Sequence, residues 1–117
     1  GILTGKYAKG IPKGSRLDLP GYEWLKEIWQ SEEGRRKLEI VEKLGALAAE
    51  IGLPLHHLAL LWCLANPNVS TVILGASRLS QLDDNLSALD GRDKLTPDVM
   101  EQIDAILGNK PAAPARY

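Results

Sequence analysis

Residues 70–77 have the sequence STVILGAS, and this stretch decides the predicted fold class. Residues 70–74 are β-branched or aliphatic apart from one serine and carry no charge, which is typical of a short buried strand. Gly75, Ala76 and Ser77 then turn the chain towards a helix. Because a continuous aliphatic strand between helices is typical of a parallel sheet, we predict an α/β fold in which residues 70–74 form a core strand.

Helical patterns lie on both sides of this strand. Apolar residues recur at spacings of three and four over residues 38–51, 79–89 and 100–107, and they dominate residues 55–65. The chain therefore reads as about five helices with one strand. A lone buried strand would leave its N–H and C=O groups unpaired, so its partners must lie in other sequence. The chain is expected to be a mostly helical fragment of a larger domain, which its start at Gly1 fits.

Residues typical of helix ends mark the predicted boundaries. Ser31 and Thr96 are predicted N-caps, since a short side-chain oxygen can accept from the free N–H groups of a first turn. Gly52 and Gly108 are predicted to end their helices. Pro54 is predicted at the first position of the next helix.

Composition limits the class of protein. The 117 residues are 44% hydrophobic and 25% charged, with a net charge of -1, which is ordinary globular composition. This balance predicts no nucleic-acid partner. The longest apolar run, residues 58–65, is too short to cross a bilayer, and no signal peptide is visible. With a single Cys63 in an apolar run, we expect a soluble cytoplasmic protein.

The junction between strand and helix is the best candidate binding site. A helix N-terminus directs backbone N–H groups outwards and favours a phosphate. Ser77 adds a hydroxyl, and Gln81 and Asn85 follow on roughly one face of the helix. The alternative is an ordinary turn with no ligand, because neither GxGxxG nor GxxxxGK[ST] is present.

A second candidate feature is the glycine-rich loop over residues 1–20. Its charge is one-sided, because four cations precede the first acid, Asp18. The alternative is a solvated surface loop without a ligand. The cations are Lys6, Lys9, Lys13 and Arg16.

No catalytic or metal-binding arrangement is predicted. His56 and His57 are adjacent, and neighbours on a helix point about 100° apart, so they are not expected to share a metal. Asp83 and Asp84 diverge for the same reason. The Gly-x-Ser-x-Gly sequence of a hydrolase is absent.

Several segments resemble the aldo-keto reductases. GILTGKY over residues 1–7 resembles the segment that follows the seventh barrel strand of that family. LGAS at 74–77 followed by QLDDN at 81–85 looks like the segment after the eighth strand, which binds the adenosine 2′-phosphate and adenine. Other strings are similar to the branch of voltage-gated potassium-channel β-subunits: GYEWL at 21–25, SEEGRR at 31–36, WCL at 62–64 and ILGNKP at 106–111.

The resemblance implies the C-terminal portion of a (β/α)8 TIM barrel, with NADPH at its C-terminal face. Residues 70–74 would be the last barrel strand, residues 1–111 part of the oxidoreductase domain, and residues 112–117 a C-terminal tail expected to be extended. The positions that match cofactor-binding residues of the family are Gly1, Lys6, Tyr7, Arg16, Gly75, Ser77, Gln81, Asp84 and Asn85.

Three positions depart from the family pattern. Ala76 stands where many reductases have Lys, and Gln81 where many have Arg. Recognition of the 2′-phosphate is therefore expected to depend on Arg16 and Ser77. Asp84 replaces the usual Glu, which shortens the side chain that reaches the adenosine.

The activity implied by the resemblance is hydride transfer from NADPH to an aldehyde or ketone. The family's catalytic Asp, Tyr, Lys and His lie earlier in its sequence and match no residue here, so this segment alone is not expected to be an enzyme. One alternative is a cytoplasmic regulatory β-subunit that uses NADPH as a redox sensor and docks as a homotetramer on a potassium-channel α-subunit. The other is a non-enzymatic helical interaction module.

Overall fold

The computed structural model describes residues 1–112, and these residues are mostly helical. The predicted extended tail falls largely on residues 113–117, which lie outside the described residues. Short 3-10 helices at Ile2–Thr4, Arg16–Asp18 and Ala88–Lys94 accompany the longer elements. These are α1 (Glu23–Gln30), α2 (Glu32–Glu50), α3 (Leu55–Ala65), α4 (Leu79–Ser87) and α5 (Pro97–Leu107).

Most of the predicted helix ends are confirmed. The Ser31 hydroxyl accepts a hydrogen bond from the backbone N–H of Gly34 at 3.1 Å and caps α2. Thr96 caps α5 in the same way. Gly108 ends α5 in the left-handed region with a φ of 61°, which glycine adopts without strain. Pro54 precedes α3 as its N-cap instead of forming its first residue.

The predicted core strand is wrong. The described residues 1–112 contain no β-strand, and residues 70–74 belong to an irregular segment between α3 and α4. Ile73 is 93% exposed, whereas Val72 and Leu74 on either side of it are half-buried. A strand requires ladder hydrogen bonds to a neighbour, and aliphatic composition cannot supply them. The fold of the described chain is therefore helical and not α/β.

The hydrophobic core joins α2, α3 and α5. The apolar face of α2 packs against α3 and α5, and the turn at Gly52 brings Leu53 into the same cluster. Each buried leucine contributes about 1.5–3 kcal/mol to folding. The cluster consists of Leu44, Leu47, Ala48, Leu53, Leu58, Leu61, Val99 and Ile103.

Helix α4 contributes no residue to this core cluster. None of its residues is buried, and Leu79, Leu82 and Leu86 are exposed. It contacts α3 and the following 3-10 helix, where Ala88 and Gly91 are buried. Side-chain hydrogen bonds therefore matter more for the position of α4 than for that of α2 or α5.

Among the described residues, no single helix is long and apolar enough to cross a membrane; α2 and α3 pass on length and composition only as a pair bent by 90°.

Candidate functional site

A cleft of about 540 Å³ brings the two candidate segments together. Its lining comes from the glycine-rich N-terminal loop, from one side of α1, and from Ser77 and Gln81 at the start of α4. The cleft thus joins parts of the chain that are about 60 residues apart. Six of the nine predicted cofactor residues line it: Gly1, Lys6, Tyr7, Arg16, Ser77 and Gln81.

The loop wall is cationic. Tyr7 is buried and fixes the loop, and the Lys6 ammonium lies 5.1 Å from the centroid of its ring. Arg16 begins the 3-10 helix Arg16–Asp18 and is exposed, as Lys6 is. Among the described residues that line the cleft, none is acidic. Two cations without a facing carboxylate make this wall suitable for a phosphate or another anion.

Ser77 and Gln81 line the same cleft. The backbone N–H of Ser77 donates to Oε1 of Gln81 at 2.9 Å, and the Ser77 hydroxyl donates to the same oxygen at 3.1 Å. The N-cap position of α4 is occupied by Arg78, whose side chain makes no capping hydrogen bond. The start of α4 therefore offers N–H donors and the positive end of a helix dipole beside the cleft.

Ser15 is a further cleft residue, which the sequence did not predict. Its hydroxyl oxygen is buried without a hydrogen-bond partner among the described residues, and Ser15 lines the cleft beside Arg16. An unpartnered buried hydroxyl is costly unless a ligand or water satisfies it. The signal available in the sequence was its place next to Arg16 in a glycine-rich loop.

The remaining three predicted cofactor residues do not line this cleft. Gly75 is exposed, with open space around the position that a Cβ would take. Asn85 is half-buried on α4. Asp84 points to α3 instead, and its carboxylate binds two histidines.

The expectation that the two histidines diverge is wrong. Nε2 of His56 lies 2.7 Å from Oδ2 of Asp84, and Nε2 of His57 lies 3.1 Å from Oδ1. The two rings meet edge to face with centroids 4.5 Å apart. The Cα–Cβ bonds of the two histidines point about 100° apart around the helix axis, but the side-chain torsions bring both ring nitrogens to one carboxylate.

The histidines also set the charge state of Asp84. The hydrogen bond from His56 is the largest cause that lowers the pKa of Asp84, with smaller contributions from the charge of His56 and from His57. An ionised carboxylate only accepts, so each imidazole donates from Nε2–H. Because the folded-state pKa of Asp84 is lowered, its contribution to stability is present at neutral pH and disappears as the pH falls through that pKa.

Comparison with known families covers all the residues that line the cleft. A model of the Aldo/keto reductase family matches residues 1–108, which is most of the chain. The chain belongs to the aldo/keto reductase family. Aldo/keto reductases are oxidoreductases that generally use a nicotinamide nucleotide, NADH or NADPH. The cleft residues all lie inside the matched range, so the cleft is a part of the aldo/keto reductase domain.

Proposed function

We propose that this chain binds the phosphate-bearing adenosine half of NADPH in an aldo/keto reductase that reduces aldehydes or ketones. The observation that supports the proposal is the cleft, whose lining includes Lys6, Arg16, Ser77 and Gln81. These side chains supply two cations and two hydroxyl or N–H donors, which are the groups that bind phosphates.

The residues of the cleft fit NADPH by their chemistry. Arg16 can bind the 2′-phosphate through its planar guanidinium, and Lys6 can neutralise the pyrophosphate as a point charge. The buried Ser15 hydroxyl lacks a partner among the described residues, and a small movement of the loop would let it donate to a phosphate oxygen. Ser77 can donate to the same phosphate once Gln81 releases it.

Binding and orientation are the contributions of this chain to the reaction. When bound, NADPH supplies the hydride that reduces the carbonyl carbon. Lys6, Arg16 and Ser77 would fix the adenosine end, so that binding energy far from the nicotinamide holds the cofactor in place. The proton donor is a residue of the family's catalytic set, for which the chain has no match.

The test is a fluorescence titration of NADPH and NADH with the full-length protein. Arg16→Ala and Ser77→Ala should each weaken NADPH binding by about 10- to 150-fold, since a charge-assisted hydrogen bond contributes about 1.5–3 kcal/mol. NADH lacks the 2′-phosphate, so its affinity should change little. Equal losses for the two nucleotides would show that the 2′-phosphate lies elsewhere.

Lys9→Ala is the matched control for loop charge. Lys9 belongs to the same cationic loop but does not line the cleft. Its loss should leave the ratio of NADPH to NADH affinity unchanged. A similar loss in Lys9→Ala and Arg16→Ala would mean that general attraction, and not a specific contact, determines affinity.

A second candidate function is regulation of a potassium channel from the cytoplasm. It is favoured by the sequence strings SEEGRR at 31–36 and ILGNKP at 106–111, which resemble the channel β-subunits. In that role the protein would form a homotetramer and respond to the redox state of NADPH. Light scattering of the purified protein tests the tetramer, and co-purification with the channel's cytoplasmic domain tests the partner. A monomer that does not co-purify would exclude this function.

A further inference from the structure

We propose that His56, His57 and Asp84 form a binding site for a divalent transition metal, with Zn²⁺ as the best match. The two imidazole nitrogens and the carboxylate oxygens lie within 4.8 Å of one another. Both Nε2 atoms already face one carboxylate, at 2.7 and 3.1 Å from its two oxygens. This site is separate from the nucleotide cleft, since none of the three residues lines that cleft.

The geometry needs only a small rearrangement to admit a metal. Ligand bonds to Zn²⁺ are about 2.0–2.2 Å long, so tetrahedral ligand atoms lie about 3.3 Å apart. The present N–O separations of 2.7 and 3.1 Å are shorter than that value, so the carboxylate must draw back from the imidazoles to admit a metal. Each neutral imidazole would move its proton from Nε2 to Nδ1 and present the Nε2 lone pair to the metal.

The ligand types select the class of metal. Two imidazoles with one carboxylate, and no thiolate, suit Zn²⁺, Co²⁺, Ni²⁺ or Cu²⁺ better than Ca²⁺ or Mg²⁺. Side-chain exposure is 9% for His57, 26% for His56 and 53% for Asp84. His57 is thus held in place by packing. The solvent-exposed side of the site, next to Asp84, leaves room for a water as the fourth ligand.

A bound metal would join two helices. His56 and His57 lie in the first turn of α3, whereas Asp84 lies in the middle of α4. Because α4 buries none of its own residues, a metal bridge to α3 would restrict it strongly. Metal binding should therefore be detectable without NADPH, and the inference does not depend on the proposed nucleotide function.

The experiment titrates Co²⁺ into full-length protein freed of metal with EDTA and without an affinity tag, and follows visible absorption. The wild type should bind one more Co²⁺ at about micromolar concentration than Asp84→Asn or His56→Gln. Zn²⁺ should displace this Co²⁺, and acid should release it because protons compete for the ligands. Equal stoichiometry in the wild type and both variants would overturn the proposal.

Asp83→Asn is the matched control. Asp83 precedes Asp84 on α4, is exposed, and is not part of the group of candidate ligands in the described structure. It should retain the extra Co²⁺ site. If Asp83→Asn loses the site as Asp84→Asn does, the metal is held by general acidity of α4 and the proposed ligand set is wrong.

A second measurement uses only the wild type, and so does not depend on how the variants fold. In air, ascorbate reduces bound Cu²⁺ to Cu⁺, dissolved O₂ reoxidises it, and the reduced oxygen species formed at the metal oxidise the neighbouring histidine ligands; peptide mapping locates the oxygen added from O₂. Oxidation should concentrate on the peptide with His56 and His57 and be suppressed by excess Zn²⁺. Absence of oxidation on that peptide would overturn the proposal, whereas a failed NADPH titration would leave it standing.

Discussion

Ser77 donates twice to one atom of Gln81: its backbone N–H and its hydroxyl both bond to Oε1, at 2.9 and 3.1 Å. The amide oxygen of Gln81 thus takes the two donors that a phosphate oxygen would require at the start of α4. Binding of a phosphate there must exchange these internal hydrogen bonds for charged ones, which are about twice as strong. The uncharged amide of Gln81 therefore competes with a bound phosphate for these two donors. A charged side chain at this position should change the preference between NADPH and NADH.

The first prediction concerns that charge. Gln81→Glu keeps the hydrogen bonds to Ser77 but adds a carboxylate beside the proposed 2′-phosphate. Repulsion between the two anions should weaken NADPH binding by about tenfold or more, a free-energy change of about 1.4 kcal/mol. NADH should be affected much less. Fluorescence titration of both nucleotides in the full-length protein measures the ratio, and the ratio should recover partly at high salt.

Gln102→Glu provides the control for this substitution. Gln102 is exposed on α5 and does not line the cleft. The same change of charge there should leave both affinities unchanged. If Gln81→Glu weakens NADH as much as NADPH, the phosphate at this position is not the 2′-phosphate.

The second prediction concerns the corner between α1 and α2. Gly34 is buried, and a Cβ there would clash with the carbonyl oxygen of Ile28 and lie 2.6 Å from Cα of Trp29. These are backbone atoms, so the helices must separate to admit a methyl group. Gly34→Ala should destabilise the full-length protein by about 1–3 kcal/mol, measured by urea denaturation.

Gly45→Ala is the matched control within the same helix. The nearest atom to a Cβ at Gly45 is Cδ2 of Leu55, at an ordinary 3.9 Å. Alanine improves helix propensity, so this variant should gain about 0.5–1 kcal/mol. Opposite signs for the two variants are the expected result. Destabilisation by Gly45→Ala of the same size as by Gly34→Ala would show that the close approach at Gly34 is not the cause.

Helix positions could be predicted because their signals are local. Ser31, Thr96 and Gly108 act within one turn of their own helix, so residue type and spacing were sufficient. The composition of residues 70–74 was not sufficient to predict a strand, because strand pairing depends on a second segment. Aliphatic residues indicate that a segment favours an apolar neighbour, but they do not supply one.

The candidate site likewise contains one contact that could be predicted from the sequence and one that could not. Proximity of the N-terminal loop to Ser77 followed from the family resemblance, and the cleft contains both segments. The contact of Asp84 with His56 and His57 depends on the crossing of α3 and α4 and on side-chain torsions. Neither the helix crossing nor the torsions can be predicted from a short spacing, so the spacing of the adjacent histidines alone predicts side chains that diverge.

The third prediction concerns residues 1–117 produced alone. Ile73 is almost fully exposed and Leu79 is 73% exposed, which leaves apolar surface on either side of the turn into α4. Exposed apolar surface of this kind favours association or a molten state over a uniquely packed one. We expect helical far-ultraviolet circular dichroism without a sharp thermal transition, and binding of a hydrophobic dye. A cooperative transition with dispersed amide signals from a monomer would contradict this prediction, because it would show that the core of α2, α3 and α5 is sufficient to fold the chain.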